Sequence, residues 1–156
     1  MMKKLITLGL ALCFASFTSA SFAAGALPYD ESADAGADLN KALATASSQH
    51  KKVLVLFGAN WCTDCRELDR SIKGKSAPLI DSKFVVVKID VGQFDKNLPI
   101  ANVYGNPIKK GIPAAVVLTA DNTLLYSTKA GELSNARKMS EQGVYDFFSQ
   151  VAAAHP

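Results

Sequence analysis

Phe57-Gly58-Ala59-Asn60-Trp61-Cys62-Thr63-Asp64-Cys65 is the stretch whose reading decides the fold. It is entered through Val53-Leu54-Val55-Leu56-Phe57, a continuous apolar run closed by Gly58. A run without polar alternation reads as a strand buried on both faces, in a sheet covered by helices. On its far side a helix is expected from near Cys62 to about Lys73. Asp64, Glu67 and Asp69 lie early in it, and Lys73, Gly74 and Lys75 close it, an order that suits the helix dipole.

Working outward, residues 24–36 are Ala, Gly and acidic, and read as a mobile lead-in. Asp38 to His50, with Leu39 and Leu43 four apart, reads as a helix. Phe84-Val85-Val86-Val87-Lys88-Ile89 repeats the buried-strand pattern. Asn97 can cap a short helix through Tyr104, with Pro99 in its first turn and Gly105 as its stop. Asn106 to Pro113 is a turn-rich loop. Ala114–Thr119 and Leu124–Thr128 then flank a hairpin turn at 120–123. Ser140 can cap a final helix whose apolar positions are Val144, Phe147, Phe148 and Val151. The order is βαβ followed by ββα, an α/β fold with one mixed central sheet and helices on both faces. The domain is expected over 37–156.

The 156 residues fit one domain, and 49% apolar with 20% charged is a globular composition. Lys3 and Lys4, the apolar run Leu5–Phe17 and Ser21-Phe22-Ala23 form a secretory signal pattern, with cleavage expected after Ala23. The apolar run is shorter than the ~20 residues a spanning helix needs, so no stable membrane insertion is expected after cleavage. Leu12 before Cys13 argues against lipidation there. Losing Lys3 and Lys4 takes the net charge from +3 to about +1, which offers nucleic acid no electrostatic footprint. Loss of Cys13 leaves Cys62 and Cys65 as the cysteines of the mature chain, in a space where disulfides persist.

Cysteines three apart at a helix start can meet. The first sits where unpaired N–H groups and the positive dipole end favour thiolate, the nucleophilic form. Cys65 shares a face with Leu68 and Ile72, so Cys62 is expected to be accessible and attacking, and Cys65 shielded and resolving. That division is what disulfide exchange requires. A purely structural disulfide in so short a loop would contribute only about 2 kcal/mol, against about 3 for a fifteen-residue loop. A zinc site lacks a second cysteine pair, and His50 and His155 show no ligand spacing. Haem attachment would need His where Arg66 stands. No metal and no cofactor are expected.

The segment 57–65 resembles the active-site segment of the thioredoxin-fold family, in which a buried strand leads through Trp into Cys-x-x-Cys. Gly111-Ile112-Pro113, ahead of a strand, resembles the family's cis-proline loop. The element order matches over about residues 50–154. The likeness extends to small exported proteins with Trp-Cys-x-x-Cys, including the soluble thiol domains of periplasmic electron-relay reductases. The resemblance implies that Cys62 is the nucleophile and Cys65 the resolving thiol of a redox-active disulfide. It implies that Trp61 packs beside the pair, with Thr63 and Asp64 between the sulfurs as supporting residues. Pro113 would be the cis residue facing the cysteines, and the Ile112 backbone would pair with an extended client. A cis bond costs only about 0.5–1 kcal/mol at X-Pro.

One departure stands out: the family's buried Asp on the strand before the motif is Leu56 here. Lys88 matches a family lysine nearby, although a solvated strand-end lysine is the simpler reading. Asp64, at ~6 Å from the sulfurs, would disfavour thiolate by about 0.7–3 kcal/mol. The helix terminus offers about 0.3–2 kcal/mol the other way. The near-cancellation favours a reductant of protein disulfides over a strong oxidant. An oxidase or isomerase of the same fold, or a non-catalytic peptide-binding module, are the alternatives. The expected partners are disulfide-bonded or thiol client proteins, with a membrane thiol-relay reductase as electron donor. The expected setting is periplasmic, and the expected state a monomer. The stretch 128–140 is long enough to shape a client groove or to cover the sheet end, and Lys109-Lys110 could steer acidic clients.

Overall fold

The computed structural model describes residues 26–156. The expected leader, its cleavage point and Cys13 lie outside the described residues. Four strands form one mixed sheet in the order β2-β1-β3-β4. Central β1 (Lys52–Gly58) runs parallel to β2 (Phe84–Asp90) and antiparallel to β3 (Ala114–Leu118). β3 in turn pairs antiparallel with the edge strand β4 (Leu124–Ser127).

Period-two alternation divides β1 between two cores. Val53, Val55 and Phe57 point to one face, where α1 (Ala35–Gln49) and α4 (Leu98–Val103) cover them together with Ile89, Val116 and Leu118. Leu54 and Leu56 point to the other, beneath α2 (Thr63–Lys73), α3 (Ala77–Lys83) and α5 (Glu141–Ala154). Every residue from Val53 to Phe57 is therefore buried, as the unbroken apolar run demanded. The expected mixed sheet with helices on both faces is what forms.

The structure departs from the sequence reading at two places. The lead-in read as mobile is tied down: Tyr29 enters the core at 4% exposure, and the Asp34 side chain caps α1 by accepting the Ala37 N–H at 3.0 Å. That cap starts the helix at Ala35, ahead of the expected Asp38. α3 was not anticipated. It is a seven-residue helix with Pro78 in its first turn and Ile80 as its one buried residue, too short to show a period. The stretch 128–140 is anchored by Leu133 and Ala136, buried with α2 and α5, and Ser134 lies against Gly111 of the proline loop.

The register places the chemistry. Phe57 pairs with Ala114 and Gly58 with Asp90, so the segments after β1, after β2 and before β3 all leave the sheet at the same end of the strands.

Candidate active site

At that end of the sheet Cys62 and Cys65 are joined in a disulfide, their Cα atoms 5.2 Å apart. Cys62 is the N-cap of α2, in extended conformation, and its Sγ accepts the Cys65 backbone N–H at 3.1 Å. The sulfur thus occupies the place a Ser or Asp oxygen takes at an ordinary N-cap. An N–H donor and the positive helix end both favour negative charge on it. The first turn winds around Cys62: its own N–H donates to Ala59 O at 3.2 Å, and its carbonyl accepts from Arg66 N at 3.2 Å.

The expected contrast in exposure is small in this disulfide state, with Cys62 at 5% and Cys65 at 1%. Cys62 is covered because the 111–113 loop folds over it. The Ile112 carbonyl oxygen lies 3.7 Å from Cys62 Sγ, and the Ile112–Pro113 peptide bond is cis. Gly111 makes this approach possible at φ 114°, a backbone conformation L side chains rarely adopt.

Trp61 stands half-exposed at the rim. Its indole N–H donates to the Gly92 carbonyl at 2.8 Å, and its ring meets Phe94 edge-on at 6.2 Å between centroids. Phe94 is itself exposed and sits at φ 63°, so the loop after β2 holds a second aromatic outward beside Trp61. Phe94 was not recognised in the sequence, because its place depends on the parallel β1–β2 register.

Thr63 opens α2, its hydroxyl accepting from Arg66 Nη2 at 3.4 Å. Asp64 does not face the sulfurs as a bare charge. Its Oδ1 accepts the Arg137 backbone N–H at 2.9 Å, and the Arg137 Nε lies 3.8 Å away. The carboxylate therefore clamps the 3-10 turn Ala136–Lys138 onto α2, and Arg137 offsets the unfavourable field reasoned from sequence. No local sequence signal links positions 73 residues apart.

Leu56 fills its position with apolar bulk, buried against Leu68 in the core under α2. Lys88 is not a solvated strand-end lysine. It is largely buried and pairs with Asp69, which also accepts from Lys73 Nζ at 2.9 Å. Burial alone would raise the Asp69 pKa, but hydrogen bonds from Lys73 and Lys88 and their charges carry it below the ordinary carboxylate value. Reciprocally, the Asp69 hydrogen bond holds the Lys73 pKa up. Lys109 and Lys110 are exposed in the 3-10 turn Pro107–Lys110.

Asn60, read only as a bridge, is a buried tie. Its Oδ1 accepts Tyr29 N–H at 3.0 Å, and its Nδ2 donates to Tyr29 O at 2.8 Å and Glu31 Oε1 at 2.9 Å. It fastens the N-terminal segment to the residue before Trp61. Among the described residues, no group of three His, Cys, Asp or Glu side chains is placed to hold a metal ion. Nor is any helix there long and apolar enough to cross a membrane.

A family model described as thioredoxin-like matches residues 34–120. This chain belongs to the thioredoxin-like family. A solved structure described as a disulphide isomerase from Xylella fastidiosa Temecula1 is 56% identical, covering 82% of this chain and 98% of that one at a TM-score of 0.79. Two more distant structures share the fold at a TM-score of 0.50. One is a thioredoxin from Thermus thermophilus, 18% identical over 71% of this chain and 78% of that one. The other is the oxidised C-terminal domain of DsbD from Neisseria meningitidis, 19% identical over 76% and 96%. Among curated proteins none matches. The thioredoxin-like chain carries a close, redox-capable cysteine pair suited to thiol–disulfide chemistry.

Proposed function

We propose that this protein reduces disulfides in client proteins by dithiol–disulfide exchange, in the periplasm and after removal of residues 1–23. The observation that carries the reading is the Cys65 N–H at 3.1 Å from Cys62 Sγ, at the N-terminus of α2. A group so placed stabilises the Cys62 thiolate and marks it as the attacking sulfur. The thiolate displaces one sulfur of the client disulfide, leaving Cys62 in a mixed disulfide. Cys65 then gives up its proton and attacks Cys62 Sγ, and the second client sulfur departs with the electron pair. Two electrons have passed to the client, and the chain holds the Cys62–Cys65 disulfide.

The surroundings support a proteinaceous client. The Ile112 backbone beside Cys62 offers a pairing edge for an extended strand next to Pro113, and Trp61 with Phe94 offers an apolar rim. Electrons would be restored by a membrane thiol-relay reductase, with the protein acting as a monomer and without a cofactor. Insulin reduction driven by dithiothreitol tests the activity. Cys62→Ser should abolish it, and Cys65→Ser should accumulate a client joined to Cys62. Equilibration with glutathione tests direction: a potential well above about −180 mV, the value of protein disulfide isomerase, would rule out a reductant.

A second reading, isomerase, is favoured by the 56% identity to the Xylella protein described as a disulphide isomerase. It uses the same mixed disulfide, with the client's own thiol resolving it. Recovery of activity from scrambled ribonuclease, without added reductant and at a rate exceeding insulin reduction, would select this reading.

A further inference from the structure

Tyr29 is a buried titratable side chain that the exchange reaction, as derived above, leaves without a role. The N-terminal segment carries it in, and Asn60 grips its backbone on both sides. Its ring ends over Gly58, where β1 gives way to the active-site turn. A Cβ on Gly58 would overlap the Tyr29 hydroxyl and would also stand 2.9 Å from Cys65 Sγ. The hydroxyl and the resolving sulfur therefore both flank the position that a Gly58 side chain would take, and the glycine lets them approach. Across the strand pair, Gly58 registers with Asp90. That carboxylate is buried, its Oδ2 has no hydrogen-bond partner among the described residues, and Lys96 Nζ lies 3.7 Å from it.

We infer that Tyr29 is a positioning residue for the resolving step, its hydroxyl donating to Cys65 Sγ as that sulfur becomes a thiolate. The inference rests on the proposed resolving role of Cys65. In the step, the Cys65 S–H bond breaks and its electron pair forms the bond to Cys62 Sγ. The bond between Cys62 and the client breaks, and the client sulfur leaves with its pair. The proton given up by Cys65 passes to solvent, from which the client thiolate takes one back. Charge thus appears briefly on a sulfur 1% exposed, where a thiolate without a donor is costly. With Leu56 at the family's acidic position, the Tyr29 hydroxyl is the donor that flanks the same Gly58 position as Cys65 Sγ.

The groups facing that hydroxyl fit a donor and not a base. Burial first, then the Asp69 carboxylate on α2 and the Asp90 carboxylate on β2, push its pKa up. It remains a phenol across the working pH range. Lys88 and Lys73 pair with that Asp69 carboxylate, and Lys96 lies beside Asp90. The ring alone would fill the space equally well as Phe, so Tyr29→Phe isolates the hydroxyl.

The test uses the full chain carrying Cys13→Ser, reduced and mixed with dithionitrobenzoate, whose released thiolate is yellow. Attack by Cys62 releases the first thiolate, and attack by Cys65 on the mixed disulfide releases the second. Tyr29→Phe should leave the first release within about twofold and slow the second about tenfold at pH 7, the loss expected for a hydrogen bond to a charged group. The midpoint of the second release against pH should rise by about one unit. A merely structural role would move neither the ratio of the two rates nor that midpoint. If wild type releases two thiolates and Tyr29→Phe matches it in both rate and midpoint, the inference is overturned while the exchange reading stands. Equal slowing of both releases with an unmoved midpoint overturns it too. A wild-type chain that releases only one overturns the resolving role of Cys65, and this inference with it.

Discussion

Replacing Asn60 by Ala should destabilise the protein far more than its position in a short connecting turn suggests. The side chain is 7% exposed and bonds both backbone groups of Tyr29, itself 4% exposed. Truncation leaves a buried N–H and a buried C=O unsatisfied, at about 1–3 kcal/mol each. Some water entry will relieve part of this, so a loss of about 2–4 kcal/mol is expected. For a domain of this size that lowers the melting temperature by roughly 8–15 °C. Glu31→Ala provides the control. It removes only the 2.9 Å bond from Asn60 Nδ2 to an exposed carboxylate, and should cost less than about 1 kcal/mol. Urea unfolding of the oxidised chain, with the disulfide intact in all three proteins, gives the comparison. A loss below about 1 kcal/mol for Asn60→Ala, or equal losses for both variants, would refute the claim that the N-terminal segment is held through Asn60.

Asp69, with its pKa depressed in the fold, contributes stability above its unfolded value of about 3.9, and that contribution is lost as pH falls through the folded value. Urea midpoints between pH 2 and 5 should therefore fall less steeply in Asp69→Asn than in wild type, and Lys88→Met should move the fall to higher pH. Asp64→Asn removes a negative charge near Cys62 and leaves Arg137 in place. Alkylation of Cys62 at pH 6 should then quicken by about twofold to fivefold, as for a partly exposed charge pair. Gly111→Ala places a side chain at φ 114° with its Cβ 3.0 Å from Ser134 Cβ. It should cost about 1–3 kcal/mol in urea unfolding and lower insulin reduction, because the Ile112 carbonyl beside Cys62 moves with it. Unchanged stability in that variant would show that the loop tolerates another path.

Much of this protein follows from local order along the chain. The unbroken run Val53–Phe57 can be buried on both faces only inside a covered sheet. Cys62 and Cys65, three apart at a helix start, must meet whatever the rest of the fold does. Those are short-range consequences of period-two and helical geometry, and they carry the fold class and the paired sulfurs. What the tertiary structure alone decided lies at contacts between distant residues. Arg137 reaches Asp64 across 73 positions, Asn60 holds Tyr29 across 31, and Lys88 reaches Asp69 across 19. In each case the partner is chosen by where the sheet register and the helix docking bring two segments together. A charged or amide side chain carries no mark of its partner along the chain, so the field around the disulfide and the burial of Tyr29 became legible only in three dimensions.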